Sequence, residues 1–184
     1  ILSPAGNPVR WARAVEAALR HEGSPATFSA VHGRGTRELR AADLGLDAFL
    51  DADALRDTPG SEPPTAPRTV LLTGATGFLG RFLCLEWLEE LAATGGTLVA
   101  LVRAADEPAA RSRLDAAFAS DPALLERFRA LARDRLRILP GDVAEPRLGL
   151  TARDHDRLAD EVDRIVHPAA LVNHVLGYES LFGP

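Results

Sequence analysis

Three glycines stand at every third position in the stretch RTVLLTGATGFLGR: Gly74, Gly77 and Gly80. The residues before them, Thr69 to Leu72, form an apolar run of strand length, and from Phe78 the apolar residues change to helical spacing. In a parallel α/β sheet, a strand that breaks into glycines and restarts as a helix opens the ligand crevice. There the first glycine permits a tight turn. The second lets the backbone approach a diphosphate with no Cβ in the way, and the third lets the helix lie close against the strand. The unpaired N–H groups and the positive dipole end of that helix then face the phosphates. A glycine triplet alone is weak evidence. Preceded by TVLL and followed by an amphipathic helix and a second strand about 20 residues on, it points to dinucleotide binding.

The end of the second strand reads the adenosine ribose. An acidic residue there accepts hydrogen bonds from the ribose hydroxyls, whereas a guanidinium suits a 2′-phosphate. LVALVRA presents Arg103, which selects NADPH; the alternative is a ribose contact from Asp106 or Glu107, which follow closely. Arg113, ten residues on, is either a second phosphate contact or a solvated helix arginine. Past a third strand, PGDV puts Asp142 on the ligand side, to accept from the adenine amino group while Val143 lines the ring, or else to cap a turn. In HPAALVNH, Pro168, Ala169 and Ala170 are small residues that allow the nicotinamide-side ribose to pass closely. His167 and His174 are seven apart, but His167 precedes a proline at a strand end, so no helical metal pair forms and no metal site is expected.

These residues must be carried by a regular scaffold. Strands are expected at Thr69 to Leu72, Thr97 to Val102, Leu136 to Leu139 and Arg164 to Val166. Helices are expected at Phe78 to Ala93, in one or two pieces between Glu107 and Arg135 with Asp121-Pro122 restarting the second, and at Thr151 to Val162. Unbroken apolar strands alternating with helices mean parallel pairing covered on both faces. The expected fold class is therefore α/β: a doubly wound parallel sheet, an NADP-binding Rossmann fold. Upstream, Val9, Trp11, Ala12, Val15, Ala18 and Leu19 make a helical stripe, residues 23 to 55 are irregular, and TPGSEPPTAPR marks a linker where the main domain boundary is placed.

Composition narrows the function classes. Of the 184 residues 46% are apolar, enough for one core. The 21 basic and 26 acidic residues give a net charge of -5 with no cationic concentration, which disfavours nucleic acid and anionic membrane as partners. The single cysteine, Cys84, rules out an internal disulfide framework and reads as a small buried residue. No apolar run reaches about 18 residues and no signal-like start is present, so a cytoplasmic setting is expected. There is no methionine, which suggests an internal piece of something longer, with the sheet incomplete at its C-terminal side.

There is also no lysine. Reductases of this fold pair a tyrosine, which protonates the nascent oxyanion, with a lysine four residues later. The single tyrosine, Tyr178, has Phe182 in that place, so the proton-donating pair is expected beyond Pro184 and no catalytic residue is assigned here.

TGATGFLG in full resembles the extended short-chain dehydrogenase/reductase family. RTVLLTGATGFLGRFL, LVALVRA with Arg113-Leu114 after it, and PAALVNHV with LFGP resemble the terminal thioester reductase domain of carboxylic acid reductases and of nonribosomal peptide synthetases. TFSAVHGRGTRELRAADLGLDAFLDADAL resembles the lead-in to that reductase. ILSPAGNPVRWARAVEAAL resembles the last helix of a phosphopantetheine carrier domain, although no Asp-Ser-Leu carrier motif occurs.

The resemblance implies residues 1–22 as the carrier tail, 23–67 as lead-in and linker, and 68–184 as the N-terminal part of the reductase. It implies NADPH held by Thr73, Gly74, Ala75, Thr76, Gly77, Phe78, Leu79 and Gly80, by Arg103, Arg113, Asp142 and Val143, and by Pro168, Ala169, Ala170 and Asn173. The implied reaction is hydride transfer to an acyl thioester on a phosphopantetheine arm, releasing an aldehyde. The implied partners are carrier and adenylation domains upstream in the same polypeptide. His167 departs from a frequent aspartate and Gly177 from an expected proline. A nucleotide-sugar epimerase or dehydratase half, and a non-catalytic NADP-binding module, are the alternatives.

Overall fold

The computed structural model describes residues 27–36, 38–45 and 66–182; the carrier-tail helix and most of the proline-rich linker lie outside them. In chain order the elements are helix α1 (Phe28–His32), a 3-10 turn (Ala41–Leu44), strand β1 (Thr69–Thr73), α2 (Phe78–Thr94), β2 (Thr97–Val102), α3 (Glu107–Phe118), α4 (Pro122–Ala132), β3 (Leu136–Pro140), a turn (Pro146–Gly149), α5 (Ala152–Glu161), β4 (Arg164–Val166) and α6 (Tyr178–Leu181). They fall into two compact units, one comprising the described residues 66–170 and the other the described residues of 27–45 together with 171–182.

The larger unit is built on a four-stranded sheet of order β3-β2-β1-β4 in which every pairing is parallel. Side chains alternate across it as strand geometry requires. Val70 and Leu72 of β1, Leu98, Ala100 and Val102 of β2, and Ile138 of β3 join one core cluster with residues of α2, α3 and α4. Leu71, Val99 and Leu101 join a second cluster with Leu158 of α5 on the other face. The central strands β1 and β2 are therefore apolar at nearly every position, while the edge strands β3 and β4 are half-exposed.

Local sequence sets the helix ends. The Asp106 carboxylate accepts from Ala109 N–H at 2.8 Å and opens α3, and Asp121 accepts from Ala123 and Leu124 N–H to open α4 with Pro122 at its first position. α3 and α4 then close on each other through the stacked, fully buried rings of Phe118 and Phe128, with centroids 4.3 Å apart. Arg129 adds a two-nitrogen bond to the Asp115 carboxylate on the surface.

At the amino end of the sheet, the Asp163 carboxylate accepts from Arg68 N–H and Thr69 N–H, both at 2.8 Å. This pins β4 beside β1 in the register Leu72↔Val166, so the two strands end side by side. β2 and β4 flank β1 on opposite sides, which makes the carboxyl ends of β1 and β4 the topological switch point of the sheet.

In the other unit, Phe28 and His32 are four residues apart on α1, and Tyr178 and Phe182 are four apart at α6. That spacing puts each pair on one helix face. The four rings meet in all six pairings with centroids 5.1 to 6.0 Å apart. The irregular lead-in thus finds its apolar partner about 150 residues along the chain.

Candidate cofactor-binding site

At the mouth of β1 the three glycines serve three different needs. Gly74 has φ +62°, a left-handed conformation, and a Cβ on it would stand 2.7 Å from Ala169 N and 2.8 Å from Ala169 Cα. A Cβ on Gly80 would run into the Gly74 carbonyl group and stand 3.1 Å from Ala75 Cα, so α2 lies directly against the turn. Gly77 differs: its φ of -80° and ψ of 172° suit any residue. Its missing Cβ would meet one protein atom, Gly74 O, at 3.3 Å. The fold demands glycine at 74 and 80, and at 77 it leaves room for something else.

The start of α2 is suited to an anion. Gly77, its N-cap, supplies no side-chain acceptor, so the first-turn amides are left without a capping side chain. The side chains of Phe78 and Leu79 turn outward, 79% and 58% exposed, whereas the Ala75 methyl is buried in the core. Arg81 places its guanidinium 5.3 Å from the Phe78 ring centroid and 4.8 Å from that of Phe82, and donates to Ala117 O.

Beside this turn, Thr73 ends β1 with its side chain buried, and its Oγ1 is 2.7 Å from Nδ1 of the exposed His167 at the end of β4. The bond continues the strand register by one residue and holds the two strand ends together. Sequence reasoning noted His167 as a departure but not this partner, because nothing local announces a pairing across 94 residues.

Past β2 and β3 lies a cavity of about 520 Å³. Arg103, Arg113 and Asp142 all line it, together with Glu145, Gly141 and Gly149. Arg113 Nη1 donates to the carbonyl of Arg103, so this helix arginine braces the end of β2 while facing the cavity. Asp142 lines the cavity, and its Oδ1 accepts from Ala144 N–H at 3.1 Å, the turn role that was its alternative reading. Val143 beside it is 44% exposed. Glu145 was not foreseen. It enters the cavity wall because Arg147 and Leu148, neither of them glycine, take left-handed backbone with φ 55° and 61° and fold the loop back.

The remaining candidates are quickly placed. Pro168 and Ala169 back Gly74, and Ala170 is exposed. Asn173 falls in the other unit, where its Oδ1 accepts from Val175 and Leu176 N–H within its own turn. Burial pushes the Cys84 thiol up to about 12, so it is no nucleophile at neutral pH. Among the described residues no cluster of three or more His, Cys, Asp or Glu is arranged to hold a metal. Among them, too, no helix is long and apolar enough to cross a membrane.

A parallel sheet with an uncapped glycine-turn helix at its mouth and two guanidiniums at the end of the next strand defines a Rossmann-type NAD(P)-binding domain. The chain belongs to the NAD-binding family described as "Male sterility protein", whose model matches residues 72–184. It is 52% identical over 189 residues to the carboxylic acid reductase of Mycobacterium marinum, covering 100% of this chain and 16% of that protein. It is 51% identical over 158 residues to the isonitrile lipopeptide synthase of Mycobacterium tuberculosis, covering 84% of this chain and 6% of that protein. Among solved structures, the reductase (R) domain of a nonribosomal peptide synthetase from Mycobacterium tuberculosis matches with a TM-score of 0.62 at 50% identity, over 74% of this chain and 32% of that one. The resemblance read from the motifs is borne out, and the chain spans about a sixth of the length of the carboxylic acid reductases it matches.

Proposed function

We propose that this chain is the NADPH-binding part of a thioester reductase that releases a carrier-bound acyl group as an aldehyde. The observation that carries the reading is the pairing of a diphosphate cradle, left open at Gly77 where the fold itself needs no glycine, with two guanidiniums on one cavity past β2. The first-turn amides of α2, with Thr76, Gly77, Phe78 and Leu79, hold the diphosphate. Arg103 and Arg113 take the 2′-phosphate, Asp142 and Val143 the adenine, and Pro168, Ala169 and Ala170 the nicotinamide side. The bound nicotinamide supplies a hydride. Its transfer to the thioester carbonyl carbon, with a proton to the oxygen, would break the carbon–sulfur bond and give one aldehyde and one free thiol on the phosphopantetheine arm. The similar carboxylic acid reductases and synthetase reductase domain support a reductase reading, and the chain's span of 16% of the former supports further domains in the same polypeptide, which this proposal takes to be carrier and adenylation domains.

The proton comes from elsewhere than these residues: the chain has no lysine, and Tyr178, its one tyrosine, is packed among Phe28, His32 and Phe182. What this part contributes is cofactor capture and orientation. The test is a calorimetric titration with NADPH and NADH. NADPH is expected to bind at least tenfold tighter, and Arg103→Ala is expected to remove that preference by deleting a charge-assisted contact worth about 1.5–3 kcal/mol. Equal affinity for both nicotinamides, untouched by Arg103→Ala, would defeat the assignment.

A further inference from the structure

Two cations and two carboxylates line the cavity past β2: Arg103, Arg113, Asp142 and Glu145. Among the described residues no ion pair joins any of them. Each wall is instead tied to its own backbone. Arg113 is fixed to the carbonyl of Arg103. The acidic loop is closed by a ring of backbone bonds, from Asp142 N–H to Leu148 O at 2.8 Å, Leu148 N–H to Glu145 O at 2.9 Å and Glu145 N–H to Asp142 O at 3.1 Å. Opposite charges held apart across an open space act together on whatever enters it. A 2′-phosphate, with a charge of about -1.5 to -2, is drawn by the arginines and repelled by the carboxylates. A bare 2′-hydroxyl is a donor that a carboxylate can accept.

Asp142 spends one oxygen on Ala144 N–H, whereas the Glu145 side chain makes no hydrogen bond among the described residues and is the freer of the two. Resting on the reading of this cavity as the 2′-phosphate end of the site, we propose that Glu145 is a specificity-determining residue. Its carboxylate weakens the grip on the phosphorylated adenosine and holds the preference for NADPH over NADH below what Arg103 and Arg113 alone impose.

The test avoids turnover and uses adenosine 2′,5′-bisphosphate and 5′-AMP as probes, titrated calorimetrically into the chain and its Glu145→Gln variant. Removing one negative charge from the cavity wall, several ångströms from the phosphate and partly screened, is expected to tighten bisphosphate binding about three- to tenfold at low ionic strength. AMP affinity is expected to stay level or fall, and the gain to shrink in about 0.5 M salt. Glu90→Gln on the exposed face of α2 makes the same change in net charge outside the cavity and is expected to leave both affinities alone. A wild type that prefers the bisphosphate, with Glu145→Gln no tighter or Glu90→Gln equally tighter, overturns the role of Glu145 alone. A wild type with no preference for the bisphosphate removes the 2′-phosphate reading, and the role of Glu145 with it.

Discussion

The three glycines make unequal demands, and alanine at Gly77 and at Gly80 should separate the needs of the ligand from those of the fold. At Gly77 the backbone already has φ -80° and ψ 172°, and the new methyl would press one atom, Gly74 O, at 3.3 Å. Glycine-to-alanine changes at compatible backbone gain about 0.4–1 kcal/mol by restricting the unfolded chain, and this offsets the few tenths of an ångström that Gly74 must give. Stability is therefore expected to stay within about 1 kcal/mol of wild type. Affinity is expected to fall, because in the proposed binding mode the diphosphate approaches where the methyl would stand. Loss of one charge-assisted amide contact, about 1.5–3 kcal/mol, weakens NADPH binding roughly 10- to 150-fold. Gly80→Ala should behave in the opposite way. Its methyl would collide with the Gly74 carbonyl, which is backbone and cannot swing aside, so helix and turn must separate. The helix-propensity gain of about 1 kcal/mol is outweighed by overpacking of about 1–3 kcal/mol and the loss of close contact beneath it. Urea unfolding of both variants, with NADPH titration at a temperature where each is folded, reads the two effects separately. If Gly77→Ala binds NADPH like wild type, or unfolds as early as Gly80→Ala, the assignment of Gly77 to the ligand is wrong.

Phe128→Ala removes half of the buried stack with Phe118 that joins α4 to α3 and should cost about 3–5 kcal/mol in urea unfolding; a loss below 1 kcal/mol would mean the helices repack without it. Glu161 has a carboxyl held below the usual carboxylate range, first by the hydrogen bond from Arg157 and then by Arg137, against the opposing effect of burial. A carboxyl depressed in the folded state stabilises above its unfolded pKa, and that contribution disappears as pH falls through the folded value. Stability should therefore decline from pH 6 towards pH 3, and Glu161→Gln should flatten the decline by under about 1 kcal/mol, since both partners are partly exposed. Unfolding curves at pH 6 and pH 3 for the two proteins check this, and identical slopes would show the pairs to be idle.

What the sequence disclosed tracks how local the determinants are. Thr97–Val102 matches its expected bounds to the residue because a central strand buried on both faces leaves no room for a polar position, whereas the edge strand Arg164–Val166, also met to the residue, is half-exposed and was marked by its short β-branched run. Asp121-Pro122 marked the start of α4 because cap and first-turn proline are neighbours in the chain. Arg103 and Asp142 were legible as strand-end residues, since strand ends on the carboxyl side of a parallel sheet share one crevice. The four-ring cluster of Phe28, His32, Tyr178 and Phe182 was not, since each half is one turn of helix with no meaning until the other arrives.

The left-handed turn after β3 is the instructive failure. Arg147 and Leu148 carry side chains into backbone that disfavours them, at a cost of order 1 kcal/mol each, and no glycine flags the place until Gly149. The compensation is tertiary: Leu148 packs on the second core cluster with Leu150, and its carbonyl accepts from Asp142 N–H at 2.8 Å. A Cβ on Gly141 would meet that same carbonyl at 2.5 Å, so the turn can close because position 141 is bare. The strain is thus held by contacts on both sides of the loop, which also place Glu145 in the wall of the cavity that the arginines line. The residue proposed to tune which nucleotide fits is therefore one whose position depends on the packed core rather than on its own neighbours.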